Sequence, residues 1–138
     1  MGIKIKTLAA VLAGFLASAT FAQTISDPTS EIRAMSMSEI DATMTAIAQQ
    51  TTAAAPLATD AVTTTERAIY LKQTKTITYT VRLSEPITPA AAAKSTALGL
   101  CRGRIALALM ERGVLYHYSV TTPAQTYGIT FKRSDCPQ

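Results

Sequence analysis

Cys101 and Cys136 are the only two cysteines among 138 residues, and they bracket the most strongly patterned part of the chain. Between them lie a helical stop, a short apolar helix ending at Gly113, and two strand-like runs. An even cysteine count in an oxidising compartment reads as a disulfide. Closing a loop of about 36 residues restricts the unfolded chain by roughly 3–4 kcal/mol in the chain-entropy picture. A redox-active pair would more often lie close in sequence, as Cys-x-x-Cys. The pair therefore predicts one structural bond tying a helix to the end of a β-hairpin.

The start of the chain supplies the compartment. Lys4 and Lys6 precede an apolar run, Leu8 to Ala17, and small residues follow through Ala22. That order of charge, apolar core and small residues is the pattern of a secretory signal peptide. Cleavage is expected after Ala22, with Ala19 as second choice, and an uncleaved anchor is the competing reading. The run is short for a membrane span, which needs roughly 20 apolar residues. With no cysteine at the cleavage point, a lipid-modified N-terminus is not expected. The protein is placed in the periplasm or outside the cell, with no stable membrane span once the leader is removed. Residues 1–22 are thus set aside as leader, 23–37 as a flexible start, and 38–138 as a single domain.

Net charge is +4 for the full sequence and +2 without Lys4 and Lys6. A nucleic-acid binder would carry a denser basic surface, so no nucleic-acid partner is expected. The charge is uneven, with residues 23–60 at −4 and residues 61–138 at +6. Such asymmetry fits an acidic segment packed beside a basic body, or a basic face held for an acidic partner.

Taken in order, Asp27-Pro28 favours a turn. Ser38, with Asp41 three residues on, is expected to cap a helix carrying Ile40, Met44, Ile47 and Ala48 on one stripe. That helix must end by Pro56. Residues 66–72 and 75–83 then read as an antiparallel hairpin, the second strand alternating cleanly. Ile77, Tyr79, Val81 and Leu83 fall on one side, and Thr76, Thr78, Thr80 and Arg82 on the other. Thr88-Pro89 starts a second helix running to about Cys101. Gly103 breaks it, and Arg104 to Glu111 continue as a short helix. A single helix with two internal glycines is the alternative. Either way Leu98, Cys101, Ile105 and Leu109 are expected to face the core together. Val114 to Val120, a turn at 122–125, and Tyr127 to Phe131 make a final hairpin. The expected fold is α+β, a four-stranded antiparallel sheet in the order α-ββ-αα-ββ with helices on one face.

The run Gly113-Val114-Leu115-Tyr116-His117-Tyr118, the terminal Asp135-Cys136, the helix-end Cys101 and the Thr78 to Val81 strand together form a pattern. This pattern resembles a group of small exported bacterial proteins, with the likeness covering about Ala61 to Cys136. It implies the fold and the disulfide, and it carries no activity or catalytic set. The chain departs from the group in having Arg102-Gly103 between its helices where a Pro-containing turn is expected.

Nucleophilic catalysis needs a base, and His117 is the only histidine. It shares a strand face with Ser119 and Thr121, and the bland reading is an exposed histidine without a catalytic partner. One histidine and two bonded cysteines cannot supply the three or four ligands of a zinc site. No phosphate-binding loop appears, so neither metal nor other cofactor is expected. Arg102, Arg104 and Arg112 read as solvated helix arginines, with an anion site as the sharper option. Tyr70, Tyr79, Tyr116, Tyr118 and Tyr127 read mainly as core with hydroxyls at the rim. The most suggestive surface is Thr76, Thr78, Thr80, Arg82, His117, Ser119, Thr130 and Lys132, a flat, mildly basic platform beside strand edges that can accept a partner's strand. The expected function is a non-enzymatic exported accessory or interaction module with an unidentified protein partner. A small-ligand binder with a tyrosine-lined pocket between helices and sheet is the alternative.

Overall fold

The computed structural model describes residues 27–138, so the expected leader lies outside the described residues. The elements run α1 (Pro28–Ala34), α2 (Met37–Ala54), β1 (Leu57–Ala58), β2 (Thr63–Leu71), β3 (Thr76–Leu83), α3 (Pro89–Arg102), α4 (Arg104–Glu111), β4 (Leu115–Thr121) and β5 (Thr126–Phe131). A single 3₁₀ turn, Arg133–Asp135, leads to Cys136.

Where a flexible start was expected over 23–37, residues 28–34 are helical. Asp27 caps α1 by accepting from the Thr29 N–H at 3.1 Å, and Pro28 takes the first helical position. Ile32 is fully buried. The other end is closed from a distance: the Arg112 guanidinium donates to the carbonyls of Ile32 at 2.8 Å and Arg33 at 3.0 Å. The Ile32 carbonyl also accepts from the Met35 N–H at 3.3 Å, so Arg112, some 80 residues downstream, adds to a weak local closure of carbonyls that a helix end leaves short of partners. Asp27-Pro28 is the same kind of start signal as Thr88-Pro89, but the closure of the other end by Arg112 is not local.

The cap of helix α2 lies two residues before the expected Ser38. Ser36 Oγ accepts from the Glu39 N–H at 3.2 Å, and the Glu39 carboxylate accepts from the Ser36 N–H at 2.6 Å. This reciprocal pair is a full capping box. Asp41, expected in that role, serves elsewhere. It accepts from Tyr70 Oη at 2.7 Å and from Lys75 Nζ at 2.8 and 2.9 Å. The hydrogen bonds from Lys75 and then Tyr70 hold the Asp41 carboxyl below its ordinary range. Lys75 sits in the β2–β3 turn with φ +54°, a left-handed conformation uncommon for a non-glycine residue. Asp41 thus pins the hairpin to the first turns of α2. The apolar stripe is as read: Ile40, Met44, Ile47 and Ala48 are all buried.

The sheet has five strands in the order β1-β2-β3-β4-β5, and it is mixed. The pairs β2–β3 and β4–β5 are antiparallel hairpins, while β3 and β4 are parallel, with Tyr79 opposite Tyr118. This corrects the four-stranded antiparallel expectation. Each hairpin was legible from its own alternation, but their joining is set by the connection. A crossover through α3 and α4 carries the chain back to the end where β3 began, and such a return makes neighbours parallel. The added strand β1 is a two-residue edge pairing Leu57 with Thr65. A bulge between Thr65 and Arg67 resets the parity of β2, so Ala68 and Tyr70 face inward.

All four helices of the described residues feed one core on one face of the sheet. Ile32, Ile40, Met44, Ile47 and Leu109 meet Ala68, Ile77, Tyr116 and Phe131 there. Thr88 and Pro89 start α3 as read, and Gly103 separates it from α4. Cys101 and Cys136 are bonded across a separation of 35 residues, fastening α3 to the segment after β5. Leu98 does not join the core. It is 49% exposed, and Leu100 packs inward in its place.

Candidate functional site

The eight residues expected to form a platform do share the sheet face opposite the helices. Thr78, His117 and Thr130 occupy one row across β3, β4 and β5, and Thr80 and Ser119 the next, ending at Gly128. Thr76 lies beside Leu115 and Arg82 beside Thr121. Lys132 continues the alternation one residue past β5. His117 Nδ1 is 2.7 Å from Thr130 Oγ1, and its ring lies over Gly128. A Cβ on Gly128 would come within 2.9 Å of that ring, so a side chain here would make the histidine shift. The histidine is engaged by a threonine and a backbone, and its bonded partner is not Ser119. Arg82 pairs with Glu66 at 2.9 Å.

Sequence reasoning missed the rest of this face. Ile69 and Leu71, 43% and 51% exposed, add an apolar corner beside Thr78 and Thr76. The bulge hid them, since it shifts which β2 residues point outward. One strand edge is already occupied. Thr52 Oγ1, from α2, donates to the Ala68 carbonyl at 2.8 Å and accepts from the Ala68 N–H at 3.0 Å. Both outward backbone groups of Ala68 are thereby satisfied, which removes it as a template for a further strand.

The other face holds a groove. A cavity of about 740 Å³ lies between α2 and α3, closed at one end by α4. Its floor is the inward side of the two parallel strands: Tyr79, Val81 and Leu83 from β3, with Tyr116, Tyr118 and Val120 from β4. The α3 wall consists of Ala91, Ala92, Ser95, Thr96 and Leu100. This composition explains the space. Mostly small side chains cannot reach down to the sheet, so a helix that completes the layer leaves it unfilled. The volume lies in the range of small-molecule sites, roughly 300–1,000 Å³.

Three of the five tyrosines meet here. Tyr79 stacks on Tyr118 with ring centroids 5.4 Å apart and on Tyr116 at 6.4 Å. Tyr116 is 6% exposed, and its hydroxyl has no hydrogen-bond partner among the described residues. Burial pushes the Tyr79 hydroxyl up to about 12. Burial, with Tyr79 and Tyr118 beside it, raises Tyr116 as well. Each therefore presents a neutral hydroxyl across the physiological range. Tyr70 and Tyr127 are spent elsewhere, on Asp41 and on the Ile87 carbonyl at 2.9 Å. The three arginines weighed as an anion site do not gather: Arg112 closes α1, and Arg104, which lines the groove, pairs with Asp27 at 3.3 Å.

The chain matches no protein-family model and no curated protein. Solved structures do share its fold. A Pseudomonas aeruginosa protein provisionally classed as secreted aligns with a TM-score of 0.59 and 14% identity, over 72% of this chain and 94% of its own. The pilotin of the Vibrio vulnificus type 2 secretion system, EpsS, aligns at 0.61 and 13% identity, over 74% of this chain and 96% of its own. At such identities the likeness is one of fold. It shows that the mixed sheet with helices on one face is an arrangement solved proteins adopt. Among the described residues no three His, Cys, Asp or Glu side chains gather as metal ligands, and no helix is long and apolar enough to cross a membrane.

Proposed function

We propose that this chain is a non-enzymatic, exported accessory module that holds an apolar guest in the groove between α2 and α3. The observation that carries the reading is the groove itself, mostly apolar and floored by stacked tyrosines. A folded domain ordinarily fills such space, because interiors pack at crystal-like density. The fold neighbours support export and an accessory role, one being provisionally classed as secreted and the other serving a secretion system. The leader-like start and the Cys101–Cys136 bond point to the same compartment.

Binding of an apolar fluorescent dye such as N-phenyl-1-naphthylamine tests this. The wild-type chain is expected to bind the dye saturably, and Thr96→Phe, which enlarges the α3 wall, to weaken it by about tenfold or more. Far-UV circular dichroism and Tm should stay as they are, since Thr96 is half-exposed on the surface of a helix. Undiminished dye binding by the variant would place the guest elsewhere.

A second reading rests on the outer sheet face, where the eight polar and basic residues lie together and no helix of the described residues packs. Here the module recognises a protein partner. Changing Thr78 and Thr80 together to Asp should abolish capture of a discrete partner from periplasmic extract while leaving dye binding intact. Equal capture by the variant removes that face from consideration.

A further inference from the structure

The start of α4 is unusual for a helix of its length. Gly103 supplies no side-chain cap, no acidic residue lies in the first turn, and the first helical residue is Arg104. Asp, Ser or Thr ordinarily satisfies the first N–H groups, and an acid complements the positive end of the helix. Here the N–H groups of Arg104, Ile105 and Ala106 have no acceptor among the described residues. Gly103, Arg104, Ile105 and Ala106 all line the groove.

A second observation, independent of the helix, points to the same space. Tyr116 lines the groove, is more than nine-tenths buried, and has a hydroxyl without a hydrogen-bond partner among the described residues. Its oxygen is not fully sealed from solvent. Unpaired donors around an apolar channel are costly unless something accepts from them. The charges agree. Among the described residues Arg104 is the one charged residue in the lining, and no Asp or Glu lines the groove. The Asp27 carboxylate engages the Arg104 guanidinium at 3.3 Å, with the arginine side chain 77% exposed. At the far side Val81, Leu83 and Val120 form a separate apolar cluster with Ile87 packed against it.

Resting on the reading of the groove as a binding site, we propose that its guest is a single-chain anionic amphiphile, a long-chain carboxylate. Its head group meets the free N–H groups at the start of α4 and the Arg104 guanidinium, and its chain lies over Val81, Leu83 and Val120. The Tyr116 hydroxyl supplies a further neutral donor. A helix start and a guanidinium together prefer a carboxylate over any neutral or cationic head of the same chain length.

The test is displacement of the bound naphthylamine dye from the full chain, purified with its disulfide intact and freed of lipid. Dodecanoate, dodecan-1-ol and dodecyltrimethylammonium are compared. Dodecanoate is expected to displace the dye about tenfold more effectively than the other two, the effect of one charge-assisted contact. Arg104→Gln should remove most of that preference while leaving displacement by the alcohol unchanged, a split that simple unfolding would not produce. Equal displacement by all three, or an unaltered preference in Arg104→Gln, overturns the proposal. Displacement by an amphipathic peptide but by no single-chain amphiphile also overturns it, and leaves the groove as a site for protein. Failure of the dye itself to bind sinks the underlying reading of the groove.

Discussion

Replacing Cys101 and Cys136 together with Ser is expected to lower the stability of the chain by about 3–4 kcal/mol, read from urea or guanidinium unfolding extrapolated to water, with a slope that rises as the unfolded chain expands. The bond closes a separation of 35 residues that contains all of α4, β4 and β5. Without it, the unfolded chain regains the freedom of that loop. In a domain of this size the whole margin is only about 5–15 kcal/mol. A second effect follows from where the bond sits. Cys136 is buried and Cys101 lies at the end of α3, so the bond holds one end of the groove wall against the sheet. Dye binding should weaken in the same variant, and reduction of the wild type should reproduce both results. Unchanged midpoints after reduction would mean that the bond constrains nothing.

The second large effect lies in the sheet. Ile77→Ala is expected to cost about 3–4 kcal/mol, in the usual range for truncating a fully buried aliphatic side chain. Ile77 is 0% exposed and stands between Tyr70 on β2 and Tyr116 on β4, beneath the helix layer. Neither ring can follow the lost atoms without leaving its own partners. Ile69, on β2 and 43% exposed on the opposite face, is the control. Its truncation should cost no more than about 0.5 kcal/mol. Similar costs at the two positions would mean that the outer face is covered.

What could be read in the sequence was whatever local pattern decides alone. The alternation from Thr76 to Leu83 set β3 and its two faces, and Thr88-Pro89 with Gly103 set the limits of α3. The apolar stripe of α2 was equally plain, although its cap lay at Ser36. Long-range contacts decided the rest. Arg112 closes α1 across some 80 residues, and no neighbour of Ile32 announces it. The parallel pairing of β3 and β4 depends on a crossover whose direction no residue records. The outer face was legible because it needs only parity, except on β2, where one bulge inverts it. The groove was only half legible. Five tyrosines suggested a lined pocket, but the space itself comes from small residues on α3, an absence of side chain that composition shows only as a run of alanine.

That run has a consequence for how such a protein can change. Helix α3 is anchored at both ends, by the bond at Cys101 and by the hydrogen bond from Tyr127 to the Ile87 carbonyl just before its start. Its inward positions, Ala91, Ala92, Ser95 and Thr96, carry little of the anchoring. Mutational drift at those four can therefore resize the chamber while the frame stays put, so that descendants keep one architecture and part company over what they carry.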